Sequence, residues 1–278
     1  MRHRSFAALA LAAVASLGLA ACGGSGSTSS DASGSSSDVV TLTVGATPSP
    51  HAKILNYVND NLAADAGIKI KVVEYTDYVQ PNTALNDGEL DANFYQTVPY
   101  LENAEKQAGY DFEAGAGIHL EPLGVFSQKH KSLDELPNGG TIGIISDTSN
   151  QERALRLLAT QGLVSIPEGE GYVNVNTVTK LKDFSFNEVE GPQLVRSLED
   201  FDFAVINGNF AQEGGLSLSG DALVVESPVD NPAVNVLVWK AGSDKAAAIA
   251  KLEELLHSDQ VKQYIESTWS DGSVIPAF

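Results

Sequence analysis

Strand, helix and strand follow one another without interruption over residues 39–75, and that order commits the chain to a parallel sheet. Residues 39–47 (VVTLTVGAT) are β-branched and alternating, the pattern of a strand. Residues 51–66 put Ile54, Leu55, Val58 and Leu62 on one helical face. Residues 68–75 (IKIKVVEY) alternate again. Parallel neighbours need a crossover connection, which the intervening helix supplies. The rhythm persists, with helices expected at 82–86, 99–108, 150–161, 192–199, 244–257 and 260–268. Strands are expected at 92–95, 123–127, 141–146 (TIGIIS), 184–189, 203–207 (FAVIN), 223–226 and 234–239. The fold class is α/β without a sequence repeat, and residues 39–278 suffice for two lobes with real cores. Segments 121–127 and 227–238 are the expected crossings between them. Lobe I then comprises 39–124 and 231–278, and lobe II 125–230.

The N-terminus has a different character. Arg2 and Arg4 precede an apolar stretch over 6–21, short for a membrane span, and Leu19-Ala20-Ala21 lead into Cys22. This is the form of a secretory signal peptide (1–21), and the approach to Cys22 resembles the bacterial lipobox. Cys22 is the expected lipidation site. Several acyl chains anchor durably, since each buried methylene contributes about 0.8 kcal/mol. Residues 23–38 are mostly Ser and Gly and read, with Cys22, as a flexible tether (22–38). The expected location is the extracytoplasmic face of the cell membrane. Cys22 is the sole cysteine, so no intrachain disulfide forms and no thiol nucleophile remains once it is acylated. A net charge of −19 argues against nucleic acid as a partner.

Ligands of open α/β sheets sit beyond the carboxyl ends of the strands and between domains. Here that means the loops after Tyr75, Tyr95, Ser146 and Asn207. Ser149-Asn150-Gln151-Glu152 has the form of a capping box. Arg153 follows in the same helix start, where a guanidinium beside free N–H donors suits a two-point grip on a carboxylate. Read alone, the position is more often that of a solvated helix charge. Asn207 and Asn209 end a buried strand. An amide can serve either end of a zwitterion, or simply tolerate an unusual turn conformation. Tyr75, Tyr78, Tyr95 and Tyr100 cluster at the loops of the other lobe, as packing residues or as a lining for an apolar or thioether side chain. Four histidines in this region (His51, His119, His130, His257) show no metal-ligand spacing, and no Gly-rich phosphate loop is present.

Several of these segments together resemble the NlpA/MetQ-type methionine-binding lipoproteins. They are 75–82 (YTDYVQPN), 91–93 (DAN), 99–101 (PYL), 132–137 (SLDELP), 149–150 (SN) with 153–155 (RAL), 192–194 (PQL) with 196–198 (RSL), 204–207 (AVIN), 234–235 (VN) and 276–278 (PAF). The resemblance runs in order through nearly all of 39–278. It implies a two-lobed periplasmic-binding-protein fold closing on a ligand in the cleft between its lobes. The implied function is capture of methionine, a related small amino acid or a short peptide, delivered to the permease and ATPase subunits of an ABC importer. No enzymatic activity, cofactor or metal is implied. Arg153 would bind the ligand carboxylate, Asn207 would be a main polar contact, and Asn235 and Tyr100 would line the pocket. Tyr75 and Tyr95 stand where the family places aromatics. Thr97 replaces a family His, and Ala233 a family Tyr, which bears on the ligand rather than on the fold. An enzyme or a non-transport surface lipoprotein on the same fold is the alternative.

Overall fold

The computed structural model describes residues 39–169 and 173–278. The signal peptide, Cys22 and the tether lie outside them. In chain order the elements begin with β1 (Val40–Ala46), α1 (Lys53–Asn61), β2 (Ile68–Glu74), α2 (Gln80–Asn86), β3 (Ala92–Thr97), α3 (Val98–Ala108), β4 (Phe112–Leu120) and β5 (Gly124–Phe126). Next come β6 (Gly140–Ile145), α4 (Thr148–Thr160), β7 (Val164–Ser165), β8 (Thr179–Lys180), β9 (Phe184–Val189), α5 (Gly191–Arg196), β10 (Phe203–Ile206) and α6 (Gly208–Glu213). The chain closes with β11 (Ala222–Val225), β12 (Val234–Lys240), α7 (Ala246–Leu256), α8 (Asp259–Thr268) and β13 (Ile275–Pro276).

Two sheets organise these elements. The first has the order β13-β4-β12-β3-β1-β2 and the second β11-β5-β10-β6-β9, while β7 and β8 form a small separate ribbon. β1 pairs in parallel with β2 and β3, as the opening strand–helix–strand requires. The second sheet repeats the parallel arrangement in β10-β6-β9. The molecule is therefore α/β and two-lobed, one lobe on each sheet. The chain leaves the first sheet after Leu120, enters the second at Gly124, leaves it after Val225 and returns at Val234.

Both sheets are covered on both faces, which explains the near-continuous apolar runs of their inner strands. In lobe I, Leu42, Val44, Ile54, Leu55, Val58 and Phe94 pack with Leu252 and Ile265 on one side. Leu85, Leu90, Leu101 and Val238 cover the other. In lobe II, Ile142 and Ile144 of β6 face Leu155 and Leu158 of α4, whereas Ile145 turns to Leu194, Phe201 and Phe210. Gly143 permits that close packing: a Cβ there would stand 2.6 Å from the Phe201 ring.

Three local expectations are corrected. The nine-residue strand β4 lies in a stretch that no strand was expected to occupy. Residues 208–213 form α6 rather than a turn, and Asn207 has an ordinary extended φ of −66°, so no unusual backbone angle explains it. The cap of α4 is Asp147, whose carboxylate accepts the Asn150 N–H at 2.9 Å. The Ser149–Glu152 capping box does not form, and Glu152 instead pairs with Arg156 one turn on. Two residues separate the alternative caps, and Asp is as good a cap as Ser.

Candidate functional site

The outgoing crossing, the start of β12 and the carboxyl ends of β3, β6 and β10 converge on a small pocket between the lobes. Lobe I contributes Tyr78, Tyr95, Thr97, Tyr100 and Asn235. Lobe II contributes Asn150, Arg153, Asn207 and Asn209, and Glu121 enters from the outgoing crossing. The space between them is about 20 Å³, on the order of one water molecule. Six of the sequence-expected residues thus come together: Arg153, Asn207, Asn235, Tyr95, Thr97 and Tyr100. Tyr75 does not join them. Its ring lies back on lobe I, over Gly45 and beside Leu90.

Tyr78 takes the place Tyr75 was expected to fill. Its ring sits 5.9 Å from Tyr95 and 5.7 Å from Tyr100, and stacks on Phe210 of the opposite lobe at 4.7 Å. The hydroxyls of Tyr95 and Tyr100 both donate to the Tyr78 carbonyl, at 2.9 and 2.8 Å. The Tyr78 hydroxyl donates across the cleft to Asn209 Oδ1 at 2.5 Å. Beneath this loop lies a buried amide cluster. Asn82 and Gln96 exchange hydrogen bonds at 3.0 and 2.8 Å, and Asn93 donates to Asn82 Oδ1 at 2.9 Å. Buried amides demand partners, so this cluster fixes the loop, and with it Tyr78, on β3. Burial holds the phenols of Tyr78 and Tyr95 well above their ordinary range, so the cage is neutral.

On the lobe II side each polar group is aimed by another. Asp147 accepts both the backbone N–H and the side-chain amide of Asn150, and Asn150 Oδ1 accepts from Asn207 Nδ2 at 2.8 Å. Asn207 keeps its Oδ1 and one N–H for the pocket. Burial pushes the Asp147 carboxyl up to about 6, against the opposing pull of the Asn150 N–H groups.

Arg153 has one edge already engaged. Its Nε lies 2.8 Å from Glu226 Oε1, and its Nη2 lies 2.5 Å from Glu226 Oε2 and 2.7 Å from the Glu121 carbonyl. Glu226 Oε2 also accepts the Leu123 N–H at 3.1 Å. The two-point grip expected for a ligand carboxylate is therefore occupied by Glu226. Nη1 is left, with no protein hydrogen bond among the described residues. The same contacts tie the outgoing crossing (Glu121, Leu123) to the returning one (Glu226) through the guanidinium, so Arg153 sits at the hinge as well as at the pocket.

Glu121 was not singled out in the sequence. His119 Nε2 donates to its Oε1 at 2.8 Å, and His51 Nε2 lies 3.3 Å from the same oxygen. His51 is oriented by the Thr47 hydroxyl on Nδ1, at 2.6 Å, and by Asn235 Oδ1 on Nε2, at 3.0 Å. That network fixes an Nε2–H tautomer. Burial lowers His51 to about 4 and His119 to about 3, so both imidazoles are neutral. Burial raises Glu121 to about 7, against the opposing pull of His51, Arg153 and the Asn209 N–H. Gly208 allows the carboxylate to approach α6, since a Cβ there would stand 3.0 Å from Glu121 Cβ. The ligand atoms of His51, His119 and Glu121 lie within 4.8 Å of one another. Holding a cation would require them to give up these hydrogen bonds. Sequence spacing missed the trio because His51 follows β1 whereas His119 and Glu121 stand at the end of β4, far along the chain.

A neutral aromatic cage, an arginine and a buried acid thus line one cleft between two α/β lobes, the arrangement of a solute-binding protein. Comparison with known proteins places the chain more narrowly. The NlpA lipoprotein family matches residues 42–278, and the chain belongs to that family. A lipoprotein of Actinomyces odontolyticus, solved by crystallography, is 86% identical. Its TM-score is 0.85 over 87% of this chain and 100% of that one. A nutrient-binding protein from Burkholderia cenocepacia, solved bound to methionine, is 35% identical with a TM-score of 0.80, over 85% of this chain and 100% of that one. The methionine-binding lipoprotein MetQ of Bacillus subtilis is 34% identical over 84% of this chain and 87% of its own length.

Proposed function

We propose that the chain is the lipid-anchored, extracytoplasmic substrate-binding component of an ABC importer, and that it captures an α-amino acid of the methionine class. The observation that carries the reading is that Arg153 and Glu121 line one small pocket together with Tyr78, Tyr95 and Tyr100. An α-amino acid presents the complement: a carboxylate for Arg153 and the free groups of Asn207, an ammonium for Glu121, and an apolar or thioether side chain for Tyr78, Tyr95 and Tyr100. Asn235 has its Oδ1 on His51, which leaves its N–H groups for the carboxylate side. Thr97 adds a hydroxyl at the pocket's edge, although that oxygen already accepts the Tyr100 N–H at 3.4 Å. No covalent step is needed.

A space of about 20 Å³ admits no amino acid, so the lobes part before binding and close over the ligand. A ligand shifts such an equilibrium only through its differential affinity for the two forms. Saturating L-methionine is therefore expected to raise the melting temperature and to reduce the radius of gyration in solution scattering. Tight binding that moves neither would place the site inside one lobe. Delivery to a permease calls for tethering, which we assign to an acylated Cys22. Cys22→Ser is expected to release the protein from membranes or stall its processing. A variant that stays membrane-bound after cleavage at another residue would refute the anchor.

A further inference from the structure

Helix α6 touches lobe I in two places, and only one of them is at the pocket. There Asn209 and Phe210 meet Tyr78. At the other, Gln212 reaches across from lobe II. Its Oε1 accepts the Ser49 hydroxyl at 2.9 Å and the Trp269 indole N–H at 2.9 Å. Ser49 stands in the turn Pro48–Ala52 between β1 and α1, and Trp269 directly follows α8. One oxygen of lobe II thus ties two separate segments of lobe I. Ser49 and Trp269 are only 5% and 7% accessible, so water competes little for their donors. None of the three residues lines the ligand pocket.

Each side of this contact is anchored in its own lobe. Trp269 belongs to the lobe I core with Leu252 and Ile265, edge-on to Tyr264 at 5.9 Å. α6 is held in lobe II by Phe210 and Ala211, which pack with Leu194 and Leu198. An indole N–H only donates, so Trp269 dictates that the oxygen of the Gln212 amide faces lobe I. Gln212 Nε2 is left buried without a hydrogen-bond partner among the described residues. A buried, unpaired N–H carries a desolvation cost, which is relieved when the lobes part and water reaches the amide. Two hydrogen bonds gained on closing are thus partly offset by one donor stranded. That balance suits a contact that forms and breaks rather than a permanent one.

We propose that Gln212 is a positioning residue for capture: it latches α6 onto Ser49 and Trp269 in the closed form and so sets how long the ligand stays. The proposal rests on the amino-acid reading only for the identity of that ligand. The lobes must part for an amino acid to enter or leave so small a space. Release therefore waits on the contacts that hold the lobes together, and differences in affinity are carried mostly by dissociation. The bond from Tyr78 to Asn209 lies at the pocket, where each ligand side chain can alter it. The Gln212 contact lies outside the pocket and prolongs the residence of every ligand alike. A hydrogen bond of ordinary net strength multiplies an equilibrium constant by about two to twelve.

Two measurements test this. The first is the dissociation rate of labelled L-methionine, chased with unlabelled ligand. The second is acrylamide quenching of Trp269 without added ligand, in a Trp239→Phe background that leaves it the sole indole. Gln212→Leu is expected to speed dissociation about fivefold or more, and Ser49→Ala about twofold or more. The double variant is expected to be no faster than Gln212→Leu, because both remove one contact. Gln212→Leu is also expected to raise the quenching constant of Trp269 about twofold or more, since the latch shields it. A purely structural role would lower the melting temperature and leave the dissociation rate alone. A Gln212→Leu rate within twofold of the native one overturns the proposal, and so does unchanged quenching. Should Gln212→Leu fail to fold, Ser49→Ala decides, an unchanged rate again overturning it. Failure of the native protein to bind methionine removes the amino-acid reading, and the quenching result then decides the latch by itself.

Discussion

Arg153→Ala is expected to weaken ligand binding by about thirty-fold to several thousand-fold, the equivalent of roughly 2–5 kcal/mol for truncating one partner of a desolvated charge pair. Two losses combine. The ligand carboxylate loses Nη1, and the tie between the crossings disappears, because Glu226 and the Glu121 carbonyl lose their common donor. Glu226 is left largely buried without a counter-charge, so the melting temperature falls as well. Glu226→Gln separates the two roles: it keeps Nη1 and loosens its aim. Its expected effect on affinity is about tenfold, the weight of one charge-assisted contact of about 1.4 kcal/mol. Calorimetry on both variants, with circular dichroism to verify folding, decides the matter. An Arg153→Ala protein that binds within threefold of the parent removes Arg153 from the site.

The second large effect belongs to Glu121. Its carboxyl is raised to about 7 in the ligand-free protein, chiefly by burial, and an arriving ammonium draws it back down. Binding therefore favours the ionised carboxylate and expels a proton. Affinity is expected to be full above about pH 7 and to fall as the pH drops from 7.5 to 5.5. The slope approaches tenfold per pH unit until the pKa of the complex is reached. Glu121→Gln is expected to cost about 2 kcal/mol or more at pH 7.5 and to remove the part of that profile centred near pH 7, leaving the lower step that Asp147, raised to about 6 by burial, contributes through Asn150 and Asn207. Calorimetry across the pH series checks both. A Gln variant that keeps the parental affinity and slope would place the ammonium elsewhere. His51 and His119 complicate only the acid end, since burial keeps them neutral down to about 4 and 3.

Much of this architecture could be read in advance where local pattern and tertiary demand agree. The opening strand–helix–strand, the apolar runs TIGII and FAVI and the C-terminal helices all fall where periodicity puts them. β4 was missed because its pattern is broken for tertiary reasons. Its pairing with β12 shifts register twice, and Gly115 and Gly117 sit where Glu253 and Val234 crowd in. α6 was missed because six residues starting Gly-Asn look like a turn until β10 is seen to aim them across the sheet edge. Within the site, lobe II was legible by position: Arg153 and Asn207 follow strands at the carboxyl edge. The choice of Tyr75 over Tyr78 failed by one loop. The Tyr75 N–H still belongs to the β-ladder, bonding the Ala46 carbonyl at 2.9 Å, and its ring turns back onto the lobe. Glu121 carried one signal, an acid placed between apolar residues in HLEPLG. Its meaning depends on His51, Arg153 and Asn209, which only the fold brings to it.

Titration of L-methionine into the protein at pH 7.5 tests most directly whether this cleft captures a small zwitterion. One ligand per chain is expected to bind saturably, with the heat lost in Arg153→Ala. No heat and no shift in melting temperature at millimolar methionine, repeated with the other α-amino acids and the methionyl dipeptides, would contradict it.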